Sequence, residues 1–191
     1  VGDLDTAYKK GYKNVNLLST SKEKVLILEP SCFTMFKEDY SELGLPYADA
    51  ISERAFLIEE FLAENIDFLR GLFKSSSSPS LFAIHQHCHA KASKFVECSK
   101  ELLSCIPDSQ LQVLPSACCG MAGAFGLLKE TYDVSIKVGE MLKNLIEPLP
   151  REAQIIASGV SCRQQIEYLT DRKPKHIISA LYQGFRDIRN G

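Results

Sequence analysis

The sequence predicts an α/β protein: a three-layer, mainly parallel sheet with helices on both faces and cysteines along the C-terminal strand edge. Three observations predict it. Short apolar runs of strand length alternate with amphipathic stretches of helical period, the rhythm of strand–helix–strand crossovers. Proline closes two of the runs. Five of the seven cysteines follow directly on those runs, at the edge where open parallel sheets bind ligands.

In chain order, Lys24–Glu29 (KVLILE) is a buried strand stopped by Pro30. A helix is expected over Phe33–Leu43 and a second over Arg54–Asn65. In the second, Phe56, Leu57, Phe61 and Leu62 recur at helical steps behind Ser52. Ser75–Ser80 (SSSSPS) has the composition of a solvated loop. Next come a strand at Leu81–His85, a long helix from about Lys91 to Cys105, and a strand at Leu111–Leu114 closed by Pro115. A helix from Leu128 to Ile146, a strand at Gln154–Ala157 and helices over Arg163–Leu169 and His176–Arg186 complete the pattern. No internal repeat is visible.

The 191 residues suffice for one large domain or two small ones sharing a core. A net charge of -2 with no Lys/Arg block gives a nucleic-acid partner no electrostatic support. No apolar run approaches the roughly 20 residues that cross a bilayer, and no signal peptide opens the chain. The start at Val1-Gly2-Asp3, without Met, reads as part of something longer. With no secretion signal the expected compartment is the cytosol, where clustered thiols serve metal or redox chemistry more often than disulfides.

The chemistry gathers in three segments: His85-Gln-His87-Cys88-His89, Ala117-Cys118-Cys119-Gly120 running on to Gly123 and Gly126, and Ser158-Gly-Val-Ser-Cys162-Arg163. Thiolates are soft ligands for iron–sulfur clusters, zinc or copper(I). Two adjacent cysteines do not readily bridge each other, yet both reach one multi-iron cluster. Gly120 and Gly123 let the backbone approach closely and aim N–H groups at negative charge. Cys98 and Cys105, seven apart in a helix, read as plain thiols. The histidines leave a mixed nitrogen–sulfur zinc site open, and also a thiol nucleophile at Cys88 with a histidine base. No third catalytic member accompanies that pair. The glycine spacing is not a dinucleotide fingerprint, and His176 reads as structural or exposed.

On these residues the chain resembles the cysteine-rich CCG domain family, found in heterodisulfide reductase and in the iron–sulfur subunits of glycolate oxidase. That family's pattern is a Cys, then Cys-Cys-Gly, then Cys-x-x-Cys. Cys88, Cys118-Cys119-Gly120 and Cys162 match it, with Gly159 standing where the first cysteine of the closing pair belongs. The wording Glu-Pro-Ser-Cys32, His-x-His-Cys88-His and Ser-Gly-x-Ser-Cys162-Arg is most similar to C-terminal regions of bacterial FAD-linked oxidases resembling D-2-hydroxyglutarate or D-lactate dehydrogenase.

The resemblance implies an iron–sulfur electron-transfer domain of a larger FAD-linked 2-hydroxy-acid dehydrogenase, not catalytically complete alone. Cys88, Cys118, Cys119 and Cys162 would hold a [4Fe–4S] cluster, with Arg163 and the histidines behind them. Cys32 would be the closing cysteine of a preceding repeat or a further ligand. Residues 1–78 would be the end of that repeat with connecting helices, and 79–191 the CCG-type domain. Implied partners are an FAD-binding domain and a ferredoxin-like segment of the parent chain, together with a downstream electron acceptor. The location implied is cytoplasmic, at most peripheral to the inner membrane face through the parent complex. The alternative is a zinc-binding or metal-free structural module of the same oxidoreductase.

Overall fold

The computed structural model describes residues 2–73, 80–88, 95–116 and 118–190. His89, most of the Ser-rich stretch and the expected helix start at 91–94 lie outside them. The α/β class with parallel strands holds. The chain divides into two compact units, one ending at Phe61 and the other starting at Leu62. The strands likewise form two short sheets, β1-β2 and β4-β3-β5, where one was expected.

In the first unit, helix α1 (Leu4–Ser19) starts at Asp3, whose carboxylate accepts from the Thr6 N–H at 3.0 Å. Its Gly11 lies so close to its neighbours that a Cβ there would stand 2.5 Å from Leu45 Cδ1. Val15, Tyr40, Leu45, Ala48 and Ile51 form the core beneath it. Strand β1 (Val25–Ile27) ends short of Pro30, which opens helix α2 (Pro30–Thr34), continued by a π-helical turn at Met35–Asp39 and α3 (Tyr40–Glu42).

The expected helix from Arg54 is interrupted. Helix α4 (Ala48–Arg54) gives way to strand β2 (Ala55–Leu57), parallel to β1 with Ile27 opposite Leu57. Helices α5 (Ile58–Ala63) and α6 (Ile66–Leu72) follow. Pairing with β1 satisfies the backbone at 55–57 and overrides the local helical period.

In the second unit, β3 (Leu81–Ile84) is central, flanked by β4 (Gln110–Val113) and β5 (Gln154–Ile156), all parallel. Side chains alternate between two cores, as the strand period requires. Phe82, Ile84 and Ile156 pack with Leu102 and Leu103 of α7 (Phe95–Ser104) and Ile177, Ala180 and Leu181 of α10 (Ile177–Asn190). Ala83 and Ile155 face Leu142 and Ile146 of α8 (Tyr132–Ile146) and Ile166 of α9 (Val160–Leu169). Helices therefore cover both faces of this sheet. Cys105 joins the first core, where burial pushes its thiol up, so it serves as packing. His176 accepts the Ile178 N–H at 3.2 Å through Nδ1 at the start of α10, a structural role.

Candidate functional site

The C-terminal edge of β4-β3-β5 gathers the motifs of the second unit. The ladder runs on past β3, with the His85 N–H donating to Ile156 O at 2.8 Å and Leu114 N–H to Ile84 O at 2.9 Å. The segments after the three strands are thereby held in register. His85, 2 % exposed, and His87, 8 % exposed, follow β3, with exposed Cys88 next. After β4 come buried Ser116, half-buried Cys118 and buried Cys119. Cys162, 2 % exposed, sits in the first turn of α9 beyond β5. Cys32 occupies the matching place after β1 in the other unit and is exposed.

Two of these thiols meet. The Cys162 thiol and Cys119 share a hydrogen bond that holds Cys119 far below the usual thiol range. Burial opposes that shift, while the His85 imidazole and the Met121 backbone N–H add to it. The same bond keeps Cys162 protonated, reinforced by its burial and by nearby Cys119, Cys88 and Cys118. The bond thus lowers Cys119 and raises Cys162 as one coupled pair. The Gly120 N–H donates to Cys118 Sγ at 3.3 Å, so the backbone aims a donor at sulfur here. His85 Nδ1 shares a 2.6 Å hydrogen bond with Ser116 Oγ, and its buried ring lies within polar reach of Cys119, whose thiol it helps to lower.

The scaffold behind the cysteines is tight. Gly120 has φ +93°, and a Cβ there would lie 2.2 Å from Ser135 O of α8. A Cβ at Gly139 would stand 2.5 Å from Leu169 Cδ1, 2.7 Å from Gln165 Nε2 and 3.2 Å from the Cys119 carbonyl, which explains a glycine inside a helix. That glycine was a readable signal of close approach. Gly123, with φ +63° and open space around it, turns the chain in the left-handed region. Arg163 Nη1 donates to Ala157 O at 2.9 Å and Ser158 O at 2.5 Å, clamping the turn that carries Cys162. Its guanidinium is thus tied to carbonyls beside the thiols. A cavity of about 470 Å³ opens beside the Cys-Cys-Gly turn, lined by Met121, Leu127, Gln165 and the hydrogen-bonded Tyr132 and Tyr168.

Among the described residues, no group of three or more His, Cys, Asp or Glu side chains is arranged to hold a metal ion as it stands. The donor chemistry nevertheless fits a thiolate-bound cluster: several soft thiols at one edge, one of them lowered by its neighbours, and backbone N–H groups on sulfur.

Comparison with known proteins finds relatives among the dehydrogenases. The C subunit of anaerobic glycerol-3-phosphate dehydrogenase from Escherichia coli (strain K12) is 27% identical over 186 residues, covering 95% of this chain and 46% of that protein. Its counterpart from Escherichia coli O157:H7 aligns equally well. D-2-hydroxyglutarate dehydrogenase of Pseudomonas putida is 22% identical over 161 residues, 82% of this chain and 15% of that protein. The chain thus spans about half the length of the first relatives, and it is similar to parts of dehydrogenases. No family model matches it, and no solved structure does. No helix among the described residues is long and apolar enough to cross a membrane.

Proposed function

We propose that this chain is an electron-transfer domain holding an iron–sulfur centre on Cys88, Cys118, Cys119 and Cys162, within a larger FAD-linked dehydrogenase of a 2-hydroxy acid. The observation that carries this reading is the buried, hydrogen-bonded Cys119–Cys162 pair, with Cys88 and Cys118 beside it, at the ligand-binding edge of a parallel sheet. The similarity to two dehydrogenases supports the oxidoreductase setting. Both of their named substrates are secondary alcohols carrying an anionic group.

A bound [4Fe–4S] centre would supply one-electron uptake and release. The residues divide the remaining work. The hydrogen bond with Cys162 lowers the Cys119 thiol, so less proton release opposes ligation there. The N–H groups of Gly120 and Met121 stabilise negative charge on the adjacent sulfurs. Arg163 and Gly120 hold the two cysteine-bearing turns against the sheet and α8. The parent chain would add the FAD-binding domain that takes the hydride, a ferredoxin-like segment, and a route to a downstream acceptor at or near the inner membrane face. Cys32 is read as the closing cysteine of a preceding repeat that ends in residues 1–78, with 79–191 forming the CCG-type domain.

Anaerobic reconstitution with iron and sulfide tests this, followed by iron and acid-labile sulfide counts and EPR of the reduced chain. The expected result is a stoichiometric, reducible centre that Cys118→Ser/Cys119→Ser abolishes. Tight stoichiometric zinc with no iron–sulfur centre would replace this reading with that of a structural module.

A further inference from the structure

Gly159 lies three residues before Cys162, and its backbone gives no reason for glycine. Its φ of -71° and ψ of 132° are extended values that any residue adopts. Space is the reason. A Cβ at 159 would stand 2.3 Å from Cδ2 and 3.2 Å from Nε2 of His87, and 3.3 Å from Cys162 Sγ. The imidazole therefore occupies the place of the missing side chain, and its nitrogen and the Cys162 sulfur flank one point. The ring is 8 % exposed and Cys162 2 % exposed, so little water competes there. A ring that only filled the notch would need no nitrogen. Burying one beside a sulfur is costly unless it makes polar contacts.

We infer that His87 is a positioning residue for the cysteine centre, seated by Gly159 so that its imidazole N–H serves the Cys162 sulfur. The inference rests on the iron–sulfur reading above. A hydrogen bond to a ligand sulfur stabilises the more negative, reduced state and raises the reduction potential. Gly159 is then specified by its partner: any larger residue displaces the ring.

The test is redox titration of the anaerobically reconstituted full chain, with iron content and EPR line shape recorded for each variant. His87→Phe fills the notch without an N–H, His87→Gln keeps an N–H, and Gly159→Ala keeps every donor but crowds the ring. The expected result is a lower midpoint potential in His87→Phe and Gly159→Ala with iron content retained, and partial recovery in His87→Gln. A native potential in His87→Phe would overturn the inference and leave His87 as filler. A native potential in Gly159→Ala would do the same. Loss of the centre in His87→Phe, with circular dichroism unchanged, would make the imidazole a ligand and also overturn the positioning role. If the native chain itself assembles no centre, the iron–sulfur reading falls and this inference with it; a native centre with an insensitive potential removes this inference alone.

Discussion

The β1–α2 turn and the β5–α9 turn are built alike and end differently. Each follows a short parallel strand, and each places a cysteine third in the helix, Cys32 in α2 and Cys162 in α9. Cys162 is buried and hydrogen-bonded to Cys119; Cys32 is exposed, with partial desolvation and nearby Glu29 holding its thiol above the ordinary value. The local chain does not explain the difference. In the second unit the neighbouring strands β3 and β4 also deliver cysteines and histidines to the edge, whereas β2 runs directly into Ile58 and Glu59 of α5. A strand–helix cysteine becomes a site through its neighbours across the sheet.

The largest expected effect breaks the comparison outright. Cys162→Ser eliminates the reconstituted centre, and Cys32→Ser leaves iron and sulfide counts at the native level. Equal loss in both would show that Cys32 is a ligand of this same centre.

Next in size are the glycines. Gly120→Ala combines φ +93° with a methyl 2.2 Å from Ser135 O, and we expect a loss of about 3 kcal/mol in urea unfolding. Gly44→Ala in the first unit, with φ +67° and open space, costs about 1 kcal/mol. Similar values would mean that the Cys-Cys-Gly turn is not fastened to α8.

A smaller effect separates the thiols by pH. Cys119 has its folded value depressed, so its contribution is present above the unfolded thiol value near about 8.5 and is lost as pH falls through the folded one. Cys162 and Cys32 have raised values, so their contributions are full below the unfolded value and are lost as pH rises. Between about pH 5 and pH 8 the stability of the metal-free chain should rise with pH, by at most about 1.4 kcal/mol per unit from this group. Cys119→Ala flattens that rise in denaturant titrations, and Cys32→Ala leaves it unchanged. The smallest effect is on Cys32 itself: Glu29→Gln speeds its alkylation near pH 8 by less than about tenfold, since partial desolvation is the larger cause of its raised thiol.

The sequence carried the second unit further than the first. Leu81–His85, Leu111–Leu114 and Gln154–Ala157 correspond to β3, β4 and β5 within one residue at either end, because short apolar runs with clear punctuation leave few alternatives. Strand β2 was illegible, since Phe56, Leu57, Phe61 and Leu62 fit a helical period and only pairing with β1 makes 55–57 extended. Helix α1 was not foreseen either: its buried positions are Gly11 and Val15, too sparse a stripe to stand out. The cysteines' place at strand ends was readable from spacing. The Cys119–Cys162 contact, the His85–Ser116 bond and the ring of His87 over Gly159 were not, because each joins segments that only the fold brings together.

The order β4-β3-β5 also sets a timetable. β3 pairs with β4 through Leu81 and Gln110, but with β5 through Phe82 and Gln154, far later in the chain. Synthesis delivers Cys88, Cys118 and Cys119 first, and domains built on distant pairings close late. The thiol edge stays incomplete until β5 leaves the ribosome and docks, and a chain truncated before β5 would leave Cys119 without its Cys162 partner.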